Sequence, residues 1–341
     1  MLTYAFDMKV LVTGGAGYIG AITASALEQA GHTPLILDSL VSGPEAFVAG
    51  RQFYRGDIAD RGLLRRIVDD HPDLGGTIHL AARIVVSESV ALPYEYYENK
   101  VARSLELFDE LRRLGKPRVI FSSSASVYAP AADFEVIETS ATGPTSPYAR
   151  SKLMTEMMLA DLCAAGGLSA LILRYFNPIG SDPELRFGMH VSVPSHVLGQ
   201  LVLAAQGRRD AFRIAGSDYP TRDGTGLRDY VHVWDVARAH VAALEQFDAV
   251  LERADAPTAI LNVGTGRGVT VRELISCVES VLGRSIPVQE APRRDGDAAG
   301  AYANVDRARE WLSWAPQYDL QDGVASALAW ADRREQVLGH P

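Results

Sequence analysis

Short apolar runs alternate with longer stretches of helical spacing through the first half of the chain, and that alternation predicts the architecture. Val10-Leu-Val-Thr13 reads as a buried strand, and Tyr18 to Ala30 as a helix stopped by Gly31. Pro34-Leu-Ile-Leu-Asp38, Phe53-Tyr-Arg55, Thr77-Ile-His-Leu80 and Arg118-Val-Ile-Phe-Ser122 read as strands two to five. A long helical stretch, about Tyr94 to Leu114, precedes the fifth strand and ends at Gly115 and Pro117. Another helix begins after Pro147. Its apolar stripe of Leu153, Met157, Ala160 and Ala164 is expected to pack in the core or against a second subunit. Ala170-Leu-Ile-Leu-Arg174 is a sixth strand. Strands and helices in this order predict an α/β fold, a Rossmann-type doubly wound parallel sheet with ligands at the C-terminal ends of its strands.

After Gly180 the pattern changes. Residues 181–229 are rich in Gly, Pro and Asp, and strands are hard to place there. Val231 to Leu244 reads as a helix, Ile260-Leu-Asn-Val263 as a strand, and Val271 to Leu282 as a helix started by Thr270. The expected division is a nucleotide-binding domain over 8–180, with return segments about 230–263, and a smaller ligand-binding lobe made of 181–229 and 264–341. Met8-Lys9 directly precedes the first strand, so residues 1–7 read as an extension.

Composition narrows the functional classes. The 341 residues are 47% hydrophobic and 22% charged, ordinary for a soluble globular protein with a sizeable core. A net charge of −9 without a basic run argues against a nucleic-acid partner. Two cysteines, Cys163 and Cys277, form neither a disulfide framework nor a metal spacing, and the eight histidines are scattered. No metal is expected. No apolar stretch approaches a membrane span, and the N-terminus lacks a basic-then-apolar leader, so a cytoplasmic protein is expected.

Two motifs carry chemistry. Gly14-Gly15-Ala16-Gly17-Tyr18-Ile19-Gly20 follows the first strand and opens the first helix, where glycines let a pyrophosphate approach the helix N-terminus. Asp38, at the end of the second strand, stands where a carboxylate meets an adenosine ribose, and its charge favours NAD over a 2′-phosphorylated cofactor. The second motif joins Tyr148 and Lys152, four apart and on one face if helical, with Ser122-Ser123-Ser124 upstream. An ammonium beside a phenol favours the phenolate and makes it a usable base. An exposed Tyr-over-Lys pair without chemistry has the same spacing, and only the rest of the chain distinguishes the two.

With these motifs in this order, the chain resembles the extended short-chain dehydrogenases/reductases. More closely, it is similar to the UDP-glucose (UDP-galactose) 4-epimerases. The closer likeness lies in Gly56-Asp57-Ile58, Arg174-Tyr-Phe-Asn-Pro178, the run from Asp218 to His232, and Ala291-Pro-Arg-Arg-Asp-Gly-Asp297. The resemblance implies NAD, a UDP-hexose substrate and a homodimer across the helices at about 94–114 and 148–165. It implies Tyr148 as the base on the sugar 4-hydroxyl, Lys152 on the nicotinamide ribose and Ser124 on the sugar hydroxyl. It implies cofactor contacts from Gly14, Gly15, Gly17, Tyr18, Ile19, Gly20, Asp38, Asp57, Ile58, Ala81, Ala82, Asn99, Ser122 and Tyr175. It implies substrate contacts from Ser126, Asn177, His196, Arg228, Arg294, Asp297 and Ala301.

The chain departs from the family pattern in four places. Ile84 stands where a lysine is common, so either the neighbouring Arg83 substitutes or one cofactor contact is lost. Val101-Ala-Arg-Ser104 replaces the familiar Val-Asn-Gly-Thr. Ala215 replaces an aromatic over the uracil, leaving stacking weaker or supplied by Phe212. Ala301 is small where some members are bulky, which extends the expectation to UDP-GlcNAc/UDP-GalNAc unless Tyr302 fills the space. The alternatives are a nucleotide-sugar 4,6-dehydratase, decarboxylase or specialised epimerase, and a non-catalytic NAD-binding protein. The absence of a carboxylate from Ser124-Ala125-Ser126 argues against the dehydratase.

Overall fold

The computed structural model describes residues 7–293 and 299–339. In chain order its first elements are β1 (Lys9–Thr13), α1 (Tyr18–Gln29), β2 (Thr33–Asp38), β3 (Gln52–Arg55), α2 (Arg61–Asp70) and β4 (Leu74–His79). Then come α3 (Val86–Ala91), α4 (Pro93–Tyr97), a π-helical turn (Glu98–Ala102), α5 (Arg103–Arg113) and β5 (Arg118–Ser124). A 3-10 turn (Ala125–Val127) and β6 (Glu135–Val136) lead to α6 (Pro147–Ala164), β7 (Ser169–Tyr175), β8 (Asn177–Ile179), α7 (Val197–Ala205), β9 (Phe212–Ala215), β10 (Leu227–Arg228) and β11 (Tyr230–His232). The chain continues through α8 (Val233–Glu245), α9 (Phe247–Ala254), β12 (Thr258–Val263), β13 (Val269–Thr270) and α10 (Val271–Leu282). The last elements are β14 (Val288–Ala291), β15 (Gly300–Ala303), α11 (Asp306–Leu312) and α12 (Leu320–Leu338).

Seven parallel strands form the main sheet in the order β12-β7-β5-β4-β1-β2-β3. Alternate residues of each strand feed the two faces. Val10 and Val12 join the core under α1 and α8, while Leu11 joins the core under α2, α5 and α6. The strand order reverses between β1 and β4, where a doubly wound sheet opens its ligand crevice. The smaller lobe packs α7, α10 and α12 around a third core. Its short strands form a four-stranded sheet, β13-β10-β15-β6, and two pairs, β11-β8 and β14-β9. The α/β fold class expected from the sequence is observed.

Four local expectations are corrected. The helix expected over about 94–114 is broken at its fifth residue by the π-helical turn, which inserts an extra residue into the ladder. Helices α2, α3, α7, α9, α11 and α12 were not anticipated. Val231 lies in a strand paired with β8, and the helix begins at Val233, where the His232 ring accepts from the Trp234 N–H. Of the Leu153/Met157/Ala160/Ala164 stripe, expected in the core or against a second subunit, Leu153 packs on a small buried cluster of this chain, while Met157 and Ala164 are exposed. The buried face of α6 is Ser151, Lys152, Thr155, Glu156, Leu159 and Cys163, while Met157 is 60% exposed.

Glu156 therefore brings a carboxylate into the interior. Arg174 on β7 grips it with Nε (3.0 Å) and a terminal nitrogen (2.6 Å), both side chains being 4% exposed. Ser123 donates a further bond to Glu156, and the Tyr128 ring lies 4.8 Å under the guanidinium. Removing one partner of such a pair strands the other charge. Arg174→Met is expected to destabilise the fold by about 3–5 kcal/mol, read as a lower urea midpoint. An unchanged midpoint would show that the pair contributes nothing to stability.

Candidate active site

The glycine turn after β1 closes against the switch point. Gly14 has φ +70°, and a Cβ there would meet the Ala81 backbone at 2.7 Å. A Cβ on Gly20 would lie 2.2 Å from the Gly14 carbonyl. Larger residues would fill the cradle that these glycines leave. Helix α1 starts at Gly17 with no side-chain cap, so the first-turn N–H groups remain open to an anion. Tyr18 donates its hydroxyl to the Gly180 carbonyl at 2.6 Å, and the Ile19 side chain packs on the core. Both thus offer a ligand only backbone. Asp38 accepts from the Ala16 N–H (3.0 Å) and the Leu40 N–H (2.8 Å), while burial pushes its carboxyl up. Cradle, helix end and acid fit a dinucleotide diphosphate and its adenosine ribose.

Further along the crevice, Ala81 and Ala82 are half-buried just after β4. Asp57 pairs with Arg103, so the residue that departs from Val-Asn-Gly-Thr ties up this carboxylate. The Ile58 side chain lies in the core. Asn99 sits in the π-helical turn and accepts the Arg83 N–H at 3.1 Å. The Arg83 guanidinium is 3.9 Å from Glu88, and Ile84 is exposed.

Helix α6 and strand β5 bring the second motif together. Ser146 caps α6 by accepting the Ala149 N–H, and Pro147 occupies its first turn. Tyr148 stands close enough to Ser124, at the end of β5, for the serine hydroxyl to pull its pKa down, and Ser126 donates to the Ser124 hydroxyl at 3.0 Å. Burial pushes the Tyr148 phenol up, and the Ser124 hydroxyl only partly opposes this. Lys152 Nζ donates to the Ser122 carbonyl at 2.5 Å. Burial brings its pKa down to about 8, against the pull of Glu156. The expectation that Lys152 lowers the tyrosine is therefore modified: among the protein's own groups, desolvation dominates at Tyr148. The Ser122 hydroxyl pairs with His240 Nε2 at 2.7 Å. Tyr175 stands close enough to Tyr148 for a phenolate there to raise it further, burial being the larger cause.

Asn177, Arg228 and Ala301 converge from three strands. Asn177 is exposed on β8, and its N–H donates to the Asp229 carbonyl at 3.0 Å. Arg228 on β10 lies in register with Ala301 on β15 and donates to the Leu227 (2.7 Å) and Ala299 (3.2 Å) carbonyls. Ala301 and Ala125 pack on one apolar cluster with Leu153, so this strand faces the Ser124–Ser126 turn. Tyr302 alternates to the opposite face, beside Glu135, and does not fill that space. His196 caps α7: Nδ1 accepts the Gly199 N–H at 3.1 Å. Burial lowers its pKa to about 4, so Nε2 carries the proton and is buried without a partner. Arg294 and Asp297 lie outside the described residues. Phe212 is buried in the lobe's core and cannot replace the aromatic missing at half-buried Ala215.

The sequence model of the NAD dependent epimerase/dehydratase family matches residues 10–264. The chain belongs to that family. It is 44% identical to a UDP-glucose 4-epimerase of Azospirillum brasilense, over 98% of this chain and 95% of the relative. The solved UDP-glucose 4-epimerase of Stenotrophomonas maltophila, with bound NAD and formylated UDP-arabinopyranose, superposes with a TM-score of 0.91 at 36% identity, over 97% and 99% of the two chains. The Bifidobacterium longum UDP-glucose 4-epimerase, in complex with NAD+ and UDP, gives 0.89 at 33% identity, over 97% and 100%.

Three residues of this epimerase/dehydratase family member escaped the sequence reading. Glu156 showed no signal beyond its spacing, four after Lys152. Asp229 lay inside a recognised run but without a role; buried, it accepts N–H groups from Thr265, Gly266 and Ala303. Lys100 did carry a signal: it stands on the stripe Ser104, Leu107, Phe108 and Leu111 that α5 buries.

Proposed function

We propose that this protein interconverts UDP-galactose and UDP-glucose by oxidising and re-reducing the hexose at C4, with NAD as a retained cofactor. One observation carries the reading: Ser124, Tyr148 and Lys152 meet at the C-terminal edge of the sheet, beside the glycine cradle. The full-length similarity to UDP-glucose 4-epimerases supports it. The 3-10 turn after Ser124 holds Ala125, Ser126 and Val127, so a dehydratase's acid pair has no place there.

NAD, when bound, supplies the acceptor for the C4 hydride and a positive ring that favours the Tyr148 phenolate. The cradle Gly14, Gly15, Gly17 and Gly20, the backbone of Tyr18 and Ile19, Asp38, Asp57, Ile58, Ala81, Ala82, Asn99, Ser122 and Tyr175 are the residues assigned to hold it. Tyr148 takes the proton of the sugar 4-hydroxyl and returns it to the epimer. Ser124, backed by Ser126, steadies that oxygen. Lys152 spends one of its three donors on Ser122 and keeps two for ribose hydroxyls. Asn177, His196, Arg228, Arg294 and Asp297 are the residues assigned to anchor the UDP, so the 4-keto sugar can turn over without leaving. Residues 181–229 and 264–341 form the lobe that holds it, against a dinucleotide domain over 8–180 with returns about 230–263.

We assign a homodimer to the outer faces of α5 and α6. Met154, Met157 and Leu105 leave apolar surface exposed on these adjacent helices, which suits a second copy of the chain. No helix among the described residues is long and apolar enough to cross a membrane. The free thiols of Cys163 and Cys277 fit a reducing cytoplasm.

Proton NMR of the purified protein with UDP-galactose, without added NAD, is expected to show UDP-glucose. No conversion, even after NAD is supplied, would refute the assignment. Tyr148→Phe is expected to lower kcat at least about 10²-fold while NAD binding survives; persistent turnover would remove Tyr148 as the base. UDP-GalNAc is expected to be converted, and Ala301→Tyr to cut that conversion about tenfold or more while sparing UDP-galactose. Equal loss on both sugars would place Ala301 away from the N-acetyl group. Met157→Glu is expected to yield monomers in light scattering, and an intact dimer would move the interface elsewhere.

A further inference from the structure

The chain has four lysines, and two of them are buried beside one tyrosine: Lys152 at 4% exposure and Lys100 at 3%. Lys100 occupies a core position of the helical stripe that continues through Ser104, Leu107, Phe108 and Leu111. An amine at such a position is costly unless something there uses its charge. Its Nζ lies 3.5 Å from the centroid of the Tyr148 ring and donates to the Tyr148 carbonyl at 3.3 Å. Its own carbonyl accepts from Thr155 on α6 at 3.0 Å, fixing the π-helical turn against the catalytic helix. Among the described residues no carboxylate lies within ion-pair reach of Nζ.

We propose that Lys100 is a positioning residue for proton transfer: seated on the face of the Tyr148 ring, it holds the ring in place and stabilises its phenolate. The proposal rests on the reading of Tyr148 as the base. The charge balance explains why a second lysine is useful there. With Lys100 as an amine and Tyr148 as a phenol, moving the phenol's proton to the amine gives a phenolate and an ammonium. The pair's net charge is unchanged whichever route the proton takes. Burial and the nearby Lys152 weaken the Lys100 amine as a base, and a phenolate formed on the ring beside it opposes both by favouring the ammonium. The other ionisable groups around it cannot substitute. Tyr96 of α4 lies 5.7 Å away with its hydroxyl committed to Val85 and Glu88, and Arg83 faces that same Glu88. A cation on the ring face also gains from the ring's own electrons.

The test compares pH profiles of kcat/KM for UDP-galactose in the wild type and Lys100→Met. The acid limb, which requires the phenolate, is expected to move up by about 1 pH unit. At pH values below the limb kcat/KM then falls about tenfold and recovers in alkali, with KM unchanged. An equal loss at every pH with an unmoved limb would reduce Lys100 to a packing residue and overturn the proposal. A second measurement does not depend on the variant folding. With four lysines, 13Cε-lysine labelling gives four side-chain signals, read beside 13Cζ-tyrosine in wild-type protein. Lys100 and Tyr148 are expected to titrate together, the latter identified by its loss in Tyr148→Phe. Independent transitions would overturn the coupling. A wild type without epimerase activity refutes the reading of the reaction instead, and the labelled titration still decides the coupling.

Discussion

Helix α6 carries Tyr148, Lys152 and Glu156 on successive turns of the face that packs on β5 and β7, and most of the site is a response to that placement. Ionisable groups taken from water must find partners or change protonation state. Glu156 finds Arg174 and stays paired. Lys152 finds a carbonyl rather than a carboxylate, and its pKa falls to about 8. Tyr148 has only the nearby Ser124 hydroxyl to oppose its burial and is pushed toward the phenol. The ladder runs from a structural charge at its foot to a switchable one at its head. The ion pair anchors the helix, and the unsatisfied end faces the crevice.

That division explains why the site reads better than its supports in the sequence. The β1 turn was legible because a strand, four glycines and a helix start cannot be arranged otherwise, and Asp38 followed from the end of β2. Tyr148 and Lys152 were legible because i and i+4 residues share a helix face. The long-range partners were not. Arg174 meets Glu156 only because β7 lies beside β5, a neighbour relation that local pattern does not encode. Helix α2 was missed because its apolar face is narrow: only Leu63, Leu64 and Ile67 are buried among charged residues. The break at Glu98–Ala102 was missed because a π-helical turn needs no Pro or Gly and leaves helical spacing nearly intact. In the second half, strands of two to four residues are too short to show a period of two.

The short strands raise a physical question: what keeps Asn177, Arg228 and Ala301 in place on two- to four-residue elements that could not stand alone? Asp229 provides one answer. Its carboxylate is fully buried and accepts N–H groups from Thr265, Gly266 and Ala303, plus the Thr265 hydroxyl, while its carbonyl accepts the Asn177 N–H. Burial alone would drive this carboxyl neutral, and the four donors pull the other way. One residue, directly after Arg228, therefore ties β15 and the loop after β12 through its side chain and β8 through its backbone carbonyl. The sheet supplies the rigid floor on which the hydride chemistry is aligned, and this buried acid supplies the stiffness that the lobe's short strands lack. Accuracy at the sugar then depends on hydrogen bonds converging on a single residue rather than on strand length. Neighbouring positions such as Ala215 and Ala301 can thus vary without loosening the frame that holds them.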